Sequence, residues 1–280
     1  MHDSRALNDI YRDLAEIDRR REGVRYSGTL EDGTPVVVLV VSDDVARHVT
    51  TVEGFIAAFE RAAAIHHESL LPAVMWGRTA DGTLHCAYAR LGATSLEPET
   101  VTPDKVAALG AQIARGLGAA HDAGLIHGAL SASRIVVVER RGALLADLGL
   151  FAALSEGGLG THRALELLGE QGFASPEVQA GEEPDIRSDV YSLGATLHAV
   201  LTGGATPNEA ARAVANVLQR AIEHAPEDRW PNAAAFAQAL AVAGSARTRA
   251  PGATTRRGCL TGAAAILAAV AVLVSTYVVG

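Results

Sequence analysis

Residues 124–150 read GLIHGALSASRIVVVERRGALLADLGL, and this stretch decides how the rest of the chain is assembled. Gly124 stops the helical pattern that precedes it, since glycine alone tolerates a left-handed helix end cheaply. Two short apolar runs follow, Ile135–Glu139 and Ala143–Asp147, separated by Arg140-Arg141-Gly142, which predicts a small hairpin. Between helix end and hairpin lies HGALSASR (127–134), a run of small and polar residues without period, as expected of a loop.

Working outward, VAALGAQIARGLGAAHDAG (106–124) is a strongly amphipathic helix, with apolar residues at three- and four-residue spacing. Upstream, GVRYSGTL (23–30) and PVVVLVV (35–41) flank Asp32-Gly33, a hairpin signal. A helical pattern covers Val52–Ile65, and strand-like material returns near Leu84–Leu91. Downstream of residue 150 the pattern is mostly helical. A β-rich first lobe followed by a helical second lobe is an α+β design, with boundaries expected at residues 1–91 and 92–244 and no internal repeat. The Leu- and Ala-rich stripes of 105–124 and 189–201 are core.

Residues 245–258, SARTRAPGATTRRG, combine turn formers with arginines and read as a flexible juxtamembrane linker. Residues 259–280, CLTGAAAILAAVAVLVSTYVVG, carry no charge. A helix of that length reaches about 30 Å, the thickness of a bilayer's hydrocarbon layer. The expectation is one transmembrane helix. Arg247, Arg249, Arg256 and Arg257 precede it and no basic residue follows, so residues 1–258 are expected on the cytoplasmic side of the cell membrane. Gly262 and the alanine pairs 264/268 and 265/269 give a small-residue face that suits dimerisation through the span, although alanine-rich composition alone also explains it.

The chain has 280 residues, a formal charge of −8, 49% hydrophobic and 4% aromatic residues, so its core is built from Ala, Val and Leu. An acidic balance argues against nucleic-acid binding. Cys86 and Cys259, the two cysteines, exclude a disulfide framework and a cysteine-ligated zinc site. His66 and His67 are adjacent and face different directions on a helix, and no histidine pair four apart has an acid nearby, so no metal site is expected. Of 24 basic residues only Lys105 is lysine, so chemistry that needs a lysine must use it or do without.

The quoted stretch resembles the catalytic loop and metal-binding segment of eukaryotic-type protein kinases, the family of bacterial Ser/Thr kinases included. Further matches follow in order: Ser175-Pro176-Glu177 for Ala-Pro-Glu, SDVYSLGATLHAVLTG (188–203) for the central helix of the large lobe, and PEDRWPNAAAFAQAL (226–240) for its closing helix. The resemblance runs from residue 11 to about 243. It implies a bilobal protein-kinase-like fold, with a β-rich N-lobe and a helical C-lobe.

It also implies a set of losses. Where the family has a glycine-rich loop for the nucleotide, LAEIDRRREGVRY (14–26) has Asp18 and Arg20 in place of the first two glycines, and only Gly23 remains. A side chain there crowds the phosphate turn and Asp18 repels the anion. Leu39 stands for the phosphate-binding lysine and Ala58 for its glutamate partner; Glu60, two positions on, faces away. Ala129 replaces the catalytic-base aspartate, Ser131 the lysine that steadies the γ-phosphate, and Arg134 the asparagine that holds magnesium. Asp147 alone persists, either as a lone magnesium ligand or as a turn residue paired with Arg134; one carboxylate holds magnesium poorly without phosphates, which favours the second. Tyr88 is expected to fill the back of the nucleotide pocket.

The positions that support the family's scaffold persist: His127 in the loop, Asp189 beneath it, and the Glu177–Arg229 pair. Removing one member of such a buried pair typically costs ~3–5 kcal/mol. The pattern implies a pseudokinase, a membrane-anchored signalling or scaffold protein acting through protein–protein contacts. Its expected partners are an active kinase, a phosphopeptide-binding protein or cell-envelope machinery, with no nucleic acid. Ser155, Thr161, Thr248, Thr254 and Thr255 are candidate phosphorylation sites. No cofactor is expected. The alternative is a nucleotide-binding switch or a weak atypical Ser/Thr kinase, in which Arg19, Arg20 and Arg21, with Gly23, hold ATP in place of the missing lysine, with or without magnesium.

Overall fold

The computed structural model describes residues 6–94, 102–170, 172–204 and 209–245. A short helix α1 (Leu7–Ile10) leads into β1 (Tyr11–Arg19), then β2 (Gly23–Leu30), β3 (Pro35–Val41), α2 (Asp43–Ala46), α3 (Val52–Ala63), β4 (Ala73–Arg78) and β5 (Leu84–Ala89). The five strands form one antiparallel sheet in the order β1-β2-β3-β5-β4. β3 lies at its centre, and Val36, Val37, Val38, Leu39 and Val41 are buried on both faces, as a β-branched run requires. On one face α3 packs through Val52, Phe55, Ala58, Phe59 and Ala62, at helical spacing. On the other, Ile10 and Tyr11 cover Val36, Val38 and Ala87.

The second lobe is built on α4 (Pro103–Asp122). Its entrance is set by Pro103 and by the Thr102 side chain, which accepts the Lys105 amide. Its end is set by Gly124 at φ +75°. A small sheet, β6 (Ala93–Thr94), β7 (Ile135–Val138) and β8 (Gly142–Leu145), carries the expected hairpin. After it come α5 (Leu150–Leu154), a single π-turn (Ser155–Leu159), α6 (Thr161–Leu168), α7 (Pro176–Gln179), α8 (Ile186–Gly204), α9 (Glu209–Ala221) and α10 (Ala233–Ser245). α10 crosses α4 closely because glycines sit at the contact: a Cβ on Gly244 would lie 2.8 Å from Ala107 Cβ.

Two strands of the five-stranded sheet lie outside the sequence expectation. β1 begins at Tyr11, ahead of the segment read as a degenerate loop, and the turn proper is only residues 20–22. Bulges along β1 and a positive φ at Asp13 break its alternation, which hides it from a period-two reading. β4 is masked in the same way by a bulge near Ala73. The expected linker beyond Ser245 and the span at 259–280 lie outside the described residues. Among the described residues no helix is long and apolar enough to cross a membrane.

Candidate functional site

The loop 127–134 is held from below by α8. The Asp189 carboxylate accepts the His127 amide at 2.8 Å, the Gly128 amide at 2.9 Å, and His121 Nε2 at 2.9 Å. His127 is buried; its Nε2–H donates to Ala146 O at 3.0 Å while Nδ1 receives the Ala129 amide at 3.4 Å. That arrangement satisfies a neutral imidazole, and burial lowers its pKa accordingly. Further down, Arg229 clamps Glu177 through two bonds of 2.6 and 2.7 Å and donates to the Glu223 and His224 carbonyls. Burial disfavours the Glu177 charge, but these hydrogen bonds hold its pKa below the usual value.

Above the loop, the space between the lobes is occupied by side chains of the chain itself. Arg25, on β2, lies directly opposite Leu39 on β3, so the two share a face of the sheet. Its guanidinium meets Asp147 Oδ2 at 2.5 Å, and Arg134 Nη1 reaches the same oxygen at 2.6 Å. Arg134 Nη2 also donates to Leu168 O at 3.0 Å, and Glu22 approaches it at 3.6 Å. These four side chains are 2–4% exposed. Burial works against the Asp147 charge, yet the two arginines overcome it and hold the carboxyl at about 2. Sequence reasoning pairs Asp147 with Arg134; it misses Arg25 and Glu22. The hairpin turn at Asp32-Gly33 hints that Arg25 and Leu39 share a face, but no sequence signal brings Asp147, 122 residues away, to it.

The three arginines expected to hold phosphates do not come together. Arg19 turns outward to Glu16 at 2.6 Å and is exposed. Arg20 bonds Asp18 at 3.2 Å and Ser133 Oγ at 3.0 Å, and Arg21 reaches the Glu166 carbonyl at 3.2 Å. The reason is that Arg19 ends β1 whereas Arg20 and Arg21 lie in the turn that follows, so the three side chains leave the backbone in different directions. Gly23 is in extended backbone against β3, where a Cβ would lie 2.0 Å from Val40 O, so its role is close strand packing. Ser131 Oγ and Ser133 Oγ both donate to Glu170 Oε1, at 2.8 and 2.5 Å. Ala129, Ala58 and Leu39 are buried and apolar.

The turn after Asp147 is packed just as tightly. Gly149 has φ +89°, and a Cβ there would lie 2.7 Å from Ala62 Cβ on α3. Phe151, on α5, covers the backbone of Gly128, where a Cβ would meet the ring at 2.6 Å. Tyr88 is buried, its hydroxyl 3.5 Å from Leu148 O. Ser155 Oγ and Thr161 Oγ1 lie 3.3 Å apart in the same segment; Thr248, Thr254 and Thr255 lie outside the described residues. A magnesium nucleotide does not fit this arrangement: Asp147 is committed to two guanidinium groups, and Arg134 puts positive charge where the cation would sit. Among the described residues no group of three His, Cys, Asp or Glu side chains could hold a metal ion.

Residues 31–240 match the family model described as protein tyrosine and serine/threonine kinase. The chain is similar to the serine/threonine-protein kinase PknB of Mycolicibacterium smegmatis, 27% identical over 176 residues, which is 60% of this chain and 28% of that protein. It is also similar to the receptor-like serine/threonine-protein kinase ALE2 of Arabidopsis thaliana, 30% identical over 188 residues, 64% of this chain and 24% of that one. The matches thus span about a quarter of the length of these relatives. Among solved structures, the kinase domain of Mycobacterium tuberculosis PknI superposes with a TM-score of 0.64 at 22% identity, covering 85% of this chain and 99% of that one. The maize SIRK1 kinase domain, bound to AMP-PNP, gives 0.68 at 19% identity over 83% and 93%. These last two likenesses establish the shared bilobal fold.

Proposed function

The chain belongs to the protein tyrosine and serine/threonine kinase family, and from that premise we propose that it is a pseudokinase: a kinase-like domain that has exchanged phosphotransfer for a fixed shape. The observation that carries this reading is the buried Arg25–Asp147–Arg134 cluster. In the family's reaction, charge is placed around phosphates and metal at the moment of transfer. Here the corresponding charges neutralise one another inside the folded chain. Ala129 offers no base to take a hydroxyl proton, and Leu39 no cation for the phosphates.

On this reading an N-lobe of residues 1–91 and a C-lobe of 92–244 present a closed shape to a protein partner. An active kinase, or a phosphopeptide reader that recognises a phosphorylated Ser155, Thr161, Thr248, Thr254 or Thr255, suits that role. Residues 245–258 tether the lobes to a single membrane span at 259–280, with residues 1–258 cytoplasmic. The decisive experiment is a thermal-shift titration of the protein with ATP, with and without magnesium. A ligand at 100 times its dissociation constant adds about 2.7 kcal/mol of stability. No shift at millimolar nucleotide is the expected result. A magnesium-dependent shift with transfer of phosphate to a protein substrate overturns the proposal, and a magnesium-independent shift lost in Arg20→Ala replaces it with a nucleotide-gated switch.

A further inference from the structure

At the C-terminal end of α3 lies a cavity of about 330 Å³. It opens between the last turn of α3, the segment 65–73 and the β7–β8 turn, with Leu148 at its inner wall. Its volume comes from small side chains: Ala62, Ala63 and Ala73 stop at Cβ, and Leu70, Leu71 and Leu148 form an apolar floor. The size is at the lower end of the range for small-molecule sites.

The lining is one-sided in charge. His66, His67 and Arg141 contribute to it, and no acidic side chain does. His67 Nδ1 accepts the Ser69 amide at 3.1 Å, so the neutral ring carries its proton on Nε2 as a free donor direction. Arg141 is exposed, and its guanidinium has no hydrogen-bond or ion-pair partner among the described residues. An apolar pocket with a histidine donor and a guanidinium cation in its lining selects one chemistry, an apolar body ending in an anion.

We propose that this cavity is a binding site for a small carboxylate with an aromatic or medium-chain aliphatic body, the body on Leu70, Leu71 and Leu148 and the carboxylate on Arg141 and His67. The site is independent of whether the cleft transfers phosphate. It adjoins the cleft, however, since Leu148 and Ala62 belong to the contact that fixes the Asp147–Gly149 turn. A bound ligand therefore stabilises α3 against that turn.

The test is leucine-methyl NMR of the full chain in nanodiscs, titrated with 2-naphthoate and with two isosteres, 2-naphthylmethanol and 2-naphthylmethylamine. The nanodisc without protein controls for partition into lipid. The expected result is saturable shifts of the Leu70, Leu71 and Leu148 methyl signals by the acid, at least about tenfold tighter than by either isostere, as one charge-assisted contact accounts for. Arg141→Gln is expected to remove that preference while leaving the weak binding of the alcohol unchanged, and Ala63→Leu to weaken all three. Equal binding of acid, alcohol and amine, an Arg141→Gln variant that keeps the preference, or the absence of methyl shifts in a folded protein each overturns the proposal.

Discussion

Asp147 Oδ2 accepts from two guanidinium groups in a nearly dry site, with Glu22 balancing the second positive charge. Such a cluster is stable only while complete, because each charge removed from water relies on its partner. Arg25→Ala should therefore destabilise the fold by ~3–5 kcal/mol in denaturant melts, while an apolar exchange of Arg25, Arg134, Asp147 and Glu22 together should cost far less. The pH dependence follows from the same contact. Asp147 titrates at about 2 in the folded chain, below its unfolded value of about 3.9. Its stabilisation is thus complete above pH 4 and lost as pH falls through 2. Asp147→Asn should flatten the acid limb of a stability–pH curve across that window. His127 acts in the same direction higher up: burial keeps it neutral when folded, so stability falls as pH drops below about 6.5.

Elements are locked by equally specific contacts. α3 is pinned to the π-turn after α5: Thr51 N bonds Gly157 O at 2.9 Å, and Arg61 pairs with Glu156 at 2.9 Å. A Cβ on Gly54 would lie 2.5 Å from Glu156 O. Gly54→Ala would favour an isolated helix, yet here it should destabilise by ~1–3 kcal/mol through overpacking. Faster hydrogen exchange at 155–159 than at α4 would locate the damage. In the second lobe Arg229→Lys should not rescue Arg229→Ala, because a lysine cannot make the two parallel bonds to Glu177 or replace the guanidinium stacked 4.8 Å from the Tyr191 ring. Thermal melts of the two variants should nearly coincide.

At the scale of the whole molecule, Arg25–Asp147 from β2 and Arg20–Ser133 and Arg21–Glu166 from the β1–β2 turn all join the first lobe to the second. The lobes are closed by the chain's own side chains, so a double variant Arg20→Ala/Arg25→Ala should open them, with a larger radius of gyration in small-angle scattering. If residues 259–280 span the membrane as proposed, the full chain should stay with membranes after carbonate washing, and a chain ending at Ser245 should not.

The sequence by itself determined the bilobal fold class, though not the irregular strands β1 and β4. The helix end at Gly124, the hairpins at 23–41 and 135–147, and the ordered matches through Arg229 are local or motif-level signals, readable because helix period, turn chemistry and spacing are written in consecutive residues. It also marked Leu39, Ala58, Ala129, Ser131 and Arg134 as positions where the resemblance implies that a catalytic side chain is replaced. What took those places was decided only in the tertiary structure. Arg25 and Asp147 are 122 residues apart, and their pairing depends on the register of β2 against β3 and on how closely the lobes meet. Arg19, Arg20 and Arg21 are consecutive, yet the strand end and the turn after it send them to three different partners. A charge's partner is fixed by geometry summed over the whole chain, so the sequence names the charges and the fold pairs them.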